Sequence, residues 1–85
     1  MLAIAEGVLE VRDGCLGLRG DTGAFRVVVF PRGEAVVTAG AVEFRGIRTT
    51  PGDRTEFVGG EVDVDRVPGL ALPDGCAPER VWVTG

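Results

Sequence analysis

The sequence predicts an all-β domain, a small antiparallel barrel of five or six strands. Three observations point there. Fourteen Gly and five Pro cut the 85 residues into short runs. The runs are rich in Val, Phe, Leu and Thr, which suit a pleated, half-buried surface. No extended stretch repeats apolar positions at helical spacing between capping residues. The length allows one domain, residues 1–85, with a thin core.

Taken in order, residues 2–7 fit either a helical turn or the lead into a strand. The first clear element is a hairpin, "VLEVR" (8–12) and "CLGLR" (15–19) around Asp13-Gly14. Asp-Gly between apolar runs favours a type I′ turn, which needs positive φ at both central residues. A two-residue turn pairs Arg12 with Cys15, Val11 with Leu16 and Leu9 with Leu18. Leu9, Val11, Leu16 and Leu18 then share one face, assigned to the core. "AFRVVVF" (24–30) is the most apolar run and reads as a central strand covered on both faces. Pro31 ends it, since proline cannot donate to a ladder.

"PRGE" reads as a turn, followed by "AVV" and by "AVEFRGIR" as one run. Val42 and Phe44 face in, Glu43 and Arg45 out. "PGD" (51–53) is a further turn. "RTEFV" (54–58) and "EVDVD" (61–65) read as a second hairpin about Gly59-Gly60. A loop, "RVPGLALPDGCAPE", leads to a last strand, "RVWVTG", with Val81 and Val83 on one face and Trp82 on the other. Turns at intervals of roughly 8–12 residues without a crossover helix argue for a barrel or a sandwich. A barrel removes the exposed edges of a meander. A partly open, five-stranded barrel of the OB (oligonucleotide/oligosaccharide-binding) type is the reading favoured, with a β-sandwich as runner-up.

The succession "VRDGCLGL", "VVVFPRGE", "AGAVEFRG", "PGDRTEFVGGEV" and a late Cys resembles a family of small bacterial OB-like β-barrel domains to which no activity is assigned. The shared motifs are a DGCL stretch, a P-x-G turn, a GD…GG segment and a second cysteine, and they span most of the chain. The resemblance implies a small barrel, often carried behind an export signal or lipid anchor. "FPRGEAVVTAG" is more distantly similar to the soluble OB-type domain of NfeD-like membrane proteins.

Composition excludes much chemistry. Net charge is −4, and all nine basic residues are Arg. His, Lys, Ser, Tyr, Asn and Gln are absent. With no Ser nucleophile, imidazole base or Schiff-base Lys, the common acyl-transfer triads cannot be assembled, and no enzyme activity is expected. No cofactor is expected either. The apolar start breaks at Glu6 without a basic n-region, so no signal peptide is predicted. No run approaches a membrane span, so no membrane insertion is expected. The compartment expected is the cytoplasm, or the cell envelope or exterior if the cysteines are bridged and a leader has been removed.

Four sets of residues invite a functional reading. Cys15 and Cys76 are too far apart for a C-x-x-C motif and too few for structural zinc. A disulfide between them, or two reduced thiols, remain. If Gly59-Gly60 is a turn, Glu56 opposes Asp63, and Glu61 and Asp65 share their face. Such carboxylates suit a hard cation such as Ca²⁺ or Mg²⁺, or else a solvated face neutralised by Arg54 and Arg66. Trp82 and Phe30 are the aromatics left for a binding surface. Arg12, Arg19, Arg26, Arg45 and Arg48 form a stripe if they share one face, but the acidic balance argues against nucleic acid. The function expected is a non-catalytic module for protein–protein interaction or self-association. The alternative is an OB-type ligand or single-stranded nucleic-acid binder.

Overall fold

The computed structural model describes residues 3–38 and 40–85. It is all-β. Eight strands follow one another: β1 (Ala3–Arg12), β2 (Cys15–Arg19), β3 (Phe25–Val29), β4 (Ala35–Thr38), β5 (Ala41–Phe44), β6 (Ile47–Thr49), β7 (Arg54–Asp63) and β8 (Arg80–Thr84). One 3₁₀ turn, Val64–Arg66, follows β7. Five strands close a barrel in the order β1-β2-β3-β8-β7, and β4-β5-β6 form a separate small sheet.

The opening hairpin has the expected register: Arg12 opposes Cys15, Val11 opposes Leu16 and Leu9 opposes Leu18. Asp13 and Gly14 have φ of 52° and 81°, as a type I′ turn requires. The undecided segment before it is strand. β1 begins at Ala3, and its first half pairs with β7, from Ala3 opposite Gly59 to Val8 opposite Arg54. Barrel closure decides this segment, because β7 supplies a partner that is remote in sequence. One junction departs from the antiparallel pattern. β3 and β8 run parallel, with Val28 beside Trp82 and Val29 beside Val83.

The second predicted hairpin does not form. Residues 54–63 are one continuous strand, and Gly59-Gly60 lies inside it. The strand serves two neighbours: Arg54 to Gly59 pair with β1, and Gly59 to Asp63 pair with β8. Gly59 sits where the pairing changes hands, and a Cβ there would collide with the carbonyl of Val83. A Cβ on Gly60 would meet nothing. The first glycine is thus demanded by close backbone approach, not by a turn. "AVEFRGIR" also divides. Arg45 and Gly46 both have positive φ (52° and 80°) and make a tight turn between β5 and β6.

Alternation along each strand sends one set of residues into the barrel and the other outside. Ala5, Leu9, Leu18, Val28, Phe57 and Trp82 fill the interior. The crossover from β3 to β7 passes over one end of the barrel. Its strands β4–β6 put Val42 and Phe44 onto that core, while Glu43 and Arg45 face out as expected. The loop at 50–53 ties this cap to β1, through Leu9 N–H donating to Asp53 O (2.9 Å) and Gly52 N–H donating to Leu9 O (2.8 Å). The Asp53 carboxylate accepts from both Thr50 N–H (2.9 Å) and Thr50 Oγ1 (2.8 Å). These bonds, the backbone one first, lower its pKa from 3.8.

On the outside, Val27 and Val81 are covered by the segment between β7 and β8, which packs Val64, Val67, Leu70 and Leu72 against them. This strap makes mostly local backbone bonds, such as Val67 to Val64 and Cys76 to Pro73. Apolar contact and the Cys15–Cys76 disulfide hold it to the barrel. β3 is therefore buried on both faces, as its apolar run predicts.

Two measurements check this account. Gly59→Ala should lower unfolding free energy by about 1–3 kcal/mol from overpacking, while Gly60→Ala should stay within about 0.5 kcal/mol; urea unfolding of both variants reads the contrast. Because Asp53 has a lowered folded pKa, its contribution to stability is present above 3.8 and is lost as pH falls through the folded value. Asp53→Asn should therefore lower Tm at pH 6 and flatten the wild-type fall in Tm below pH 3.8.

Candidate functional site

The two cysteines are joined. Cys15 ends the turn of the opening hairpin, Cys76 lies in the strap, and their Cα atoms are 5.1 Å apart. No cysteine is free. The bridge is buried between the hairpin and the strap, so its role is to anchor the strap to the outer wall.

The carboxylate face is not assembled. Glu56 opposes Glu6 on β1, and Asp63 opposes Arg80 on β8. Glu61 accepts from Arg26 (3.3 Å) and pairs with Arg80 (3.0 Å), and Arg80 reaches Asp63 (3.3 Å). Asp65 lies beyond the strand, in the 3₁₀ turn. Among the described residues no group of three or more His, Cys, Asp or Glu could hold a metal ion. The correction follows from the strand: residues 56 and 63 lie on one continuous ladder and cannot face each other. The like-charge pair Glu6–Glu56 is relieved by Arg54, which donates to Glu6 (3.2 Å) and to Asp21 (3.4 Å). Asp21 first, then Glu6, holds the Arg54 pKa above its ordinary value.

The two aromatics do not form one surface: Phe30 lines an apolar groove, whereas Trp82 is core. Trp82 is only 4% exposed and fills the barrel, with the Arg26 guanidinium 5.2 Å from its ring centre at the barrel mouth. Phe30 is half-buried, 5.0 Å from Phe44 and 5.2 Å from Phe57 between ring centres. Both faces of β8 are covered, one by the barrel and one by the strap, so alternation alone could not tell which residue would be wet. The Arg stripe also disperses. Arg12 and Arg19 bond Glu10, Arg26 bonds Glu61, and Arg45 reaches Glu34 at 4.0 Å.

The site that does form is an apolar groove of about 440 Å³, between the cap, the end of the opening hairpin and the strap. Val11, Leu16, Phe30, Val37, Leu70 and Leu72 line it. Val11, predicted as core, is 48% exposed here because it lies where the hairpin runs past the barrel end; Val37 is 53% exposed. Two backbone edges border the groove. β4 is an outer strand of its sheet, and the β2–β3 ladder stops at Gly17 opposite Val27, leaving the end of β3 unpaired on that side. Among the described residues one charged side chain lines it, Arg32, which donates to the carbonyl of Gly69 at 3.2 Å. The sequence does carry one signal for this groove: Leu70 and Leu72 are apolar residues in a loop flanked by Pro68 and Pro73.

No family model matches the chain, and no curated protein or solved structure matches it. No helix among the described residues is long and apolar enough to cross a membrane.

Since the bridge spans 61 positions, replacing both cysteines by Ala should lower unfolding free energy by about 4 kcal/mol on the chain-entropy account. Thiol titration of the denatured, non-reduced protein should find no free thiol.

Proposed function

We propose that the chain is a non-catalytic interaction module that holds an extended apolar segment of a protein partner in the groove beside β4. The groove itself carries this reading: exposed Val11 and Val37 stand together across a concave surface with a free strand edge beside it. Exposed apolar surface gathered in this way marks interaction sites. A free edge offers main-chain hydrogen bonds to an added strand, and alternate side chains find the apolar walls. Val36, 66% exposed on the other face of β4, would be covered by the same strand addition.

An OB-type barrel is part of the same proposal. Its support is the five-stranded closed order with one parallel junction, where the last strand returns beside the third. The nucleic-acid alternative is weaker. OB barrels bind oligonucleotides on the face of their second and third strands, and here the strap lies over the outside of that region. The arginines are also largely paired with acids.

A blocked peptide, acetyl-Thr-Val-Thr-Val-Thr-Val-amide, tests the reading. Its titration into labelled protein should shift the amides of Val11, Leu16, Phe30, Val37, Leu70 and Leu72. Val37→Arg should abolish the shifts without lowering Tm. Shifts scattered elsewhere, or none, would sink the idea. Light scattering over a range of concentrations adds a second arm: a mass that doubles and reverts in Val37→Arg assigns the groove to a second copy instead.

A further inference from the structure

Resting on the reading that the groove takes an extended segment, we infer that it recognises the C-terminal end of that segment, with Arg32 receiving the terminal carboxylate. Six of the nine arginines are ion-paired: Arg12, Arg19, Arg26, Arg45, Arg54 and Arg80. Arg32, Arg48 and Arg66 have no carboxylate within 4.0 Å among the described residues. Of these three only Arg32 lines the groove, and among the described residues it is the one charged side chain there. Its bond from one terminal nitrogen to the Gly69 carbonyl leaves the rest of the guanidinium fork for a second acceptor. An unpaired cation beside an apolar channel is complementary to an apolar ligand that ends in an anion.

Strand direction selects the terminus. A segment added antiparallel to β4 runs opposite to Ala35–Thr38, so its C-terminal end arrives where β4 begins. Pro31, Arg32 and Gly33 line the groove at that end. A parallel segment would instead end beside Gly40 and Val11, where no cation among the described residues lines the wall. Antiparallel pairing is also the more stable ladder. The arrangement combines edge addition with capture of a terminal carboxylate, two recognition modes that peptide-binding domains use together.

The test compares acetyl-Thr-Val-Thr-Val-Thr-Val as its free acid with the same peptide as its amide, by calorimetric titration of the intact, oxidised protein. The free acid should bind about tenfold more tightly, the scale of a hydrogen bond to a charged group. Arg32→Gln should bring the free acid down to the affinity of the amide and leave the amide unchanged. Arg32→Lys should keep part of the difference, since it retains charge without the planar fork. Arg32 is exposed, so Tm should be unchanged in both variants. Equal binding of the two peptides to the wild type overturns the terminal-carboxylate assignment while leaving the groove reading intact. A preference that survives Arg32→Gln overturns it as well. An amidated peptide with a final Glu that matches the free acid moves recognition to an acidic side chain and overturns the terminus. Failure of every peptide to bind overturns the groove reading along with it.

Discussion

Closure of the barrel is the constraint on which the rest of the molecule depends. Five short strands can satisfy their backbone groups only if the last partner meets the first, because every open edge is a row of unpaired donors and acceptors. Two strands make this possible by passing from one neighbour to the other along their length. β1 pairs with β7 over its first half and with β2 over its second; β7 pairs with β1 and then with β8. Each is ten residues long, twice the length of β2, β3 or β8. Gly59 lies at the change of partner, where the Val83 carbonyl leaves no room for a side chain.

Closure also decides what must be covered. The interior of so small a barrel is filled by Leu9, Leu18, Val28, Phe57 and Trp82, and one end is sealed by Val42 and Phe44 from the crossover sheet. The outside of β3 and β8 is apolar too, through Val27 and Val81, and the strap between β7 and β8 buries it. A strap with few backbone bonds to the barrel needs another tether, and the disulfide supplies it. Cap and strap come from different stretches of chain and leave a gap, crossed by the bond from Arg32 to the Gly69 carbonyl. The gap between them, against the end of the opening hairpin, is the groove. Its apolar walls are the margins of two packed layers, and its free strand edges are where two ladders stop.

Local chemistry was legible where a decision is local. Asp13-Gly14 specifies a turn that few other residue pairs adopt, and the register of β1 against β2 follows from it. Alternation placed Val42 and Phe44 inward, and Val81 and Val83 on the opposite face from Trp82. Gly59-Gly60 misled because glycine carries two meanings. It supplies positive φ in a turn, and it admits a neighbouring backbone in a strand. Here it does the second, and the supposed cation site vanished with the hairpin. Trp82 misled for a related reason: its face was readable, but whether that face is wet depends on what another part of the chain lays over it.

The sequence by itself determined the class of structure, the first hairpin and its register, the two-sided burial of β3 and the poverty of catalytic groups. These follow from short-range sterics, side-chain alternation and the list of available functional groups. Only the tertiary structure decided that residues 3–7 are strand, that residues 54–63 run straight through a pair of glycines, that Trp82 is core, and that Val11, Val37 and Arg32 border one groove. The physical reason is common to all of them. Each depends on a partner distant along the chain, brought close by the closure of the barrel, and no local pattern records which distant segment that will be.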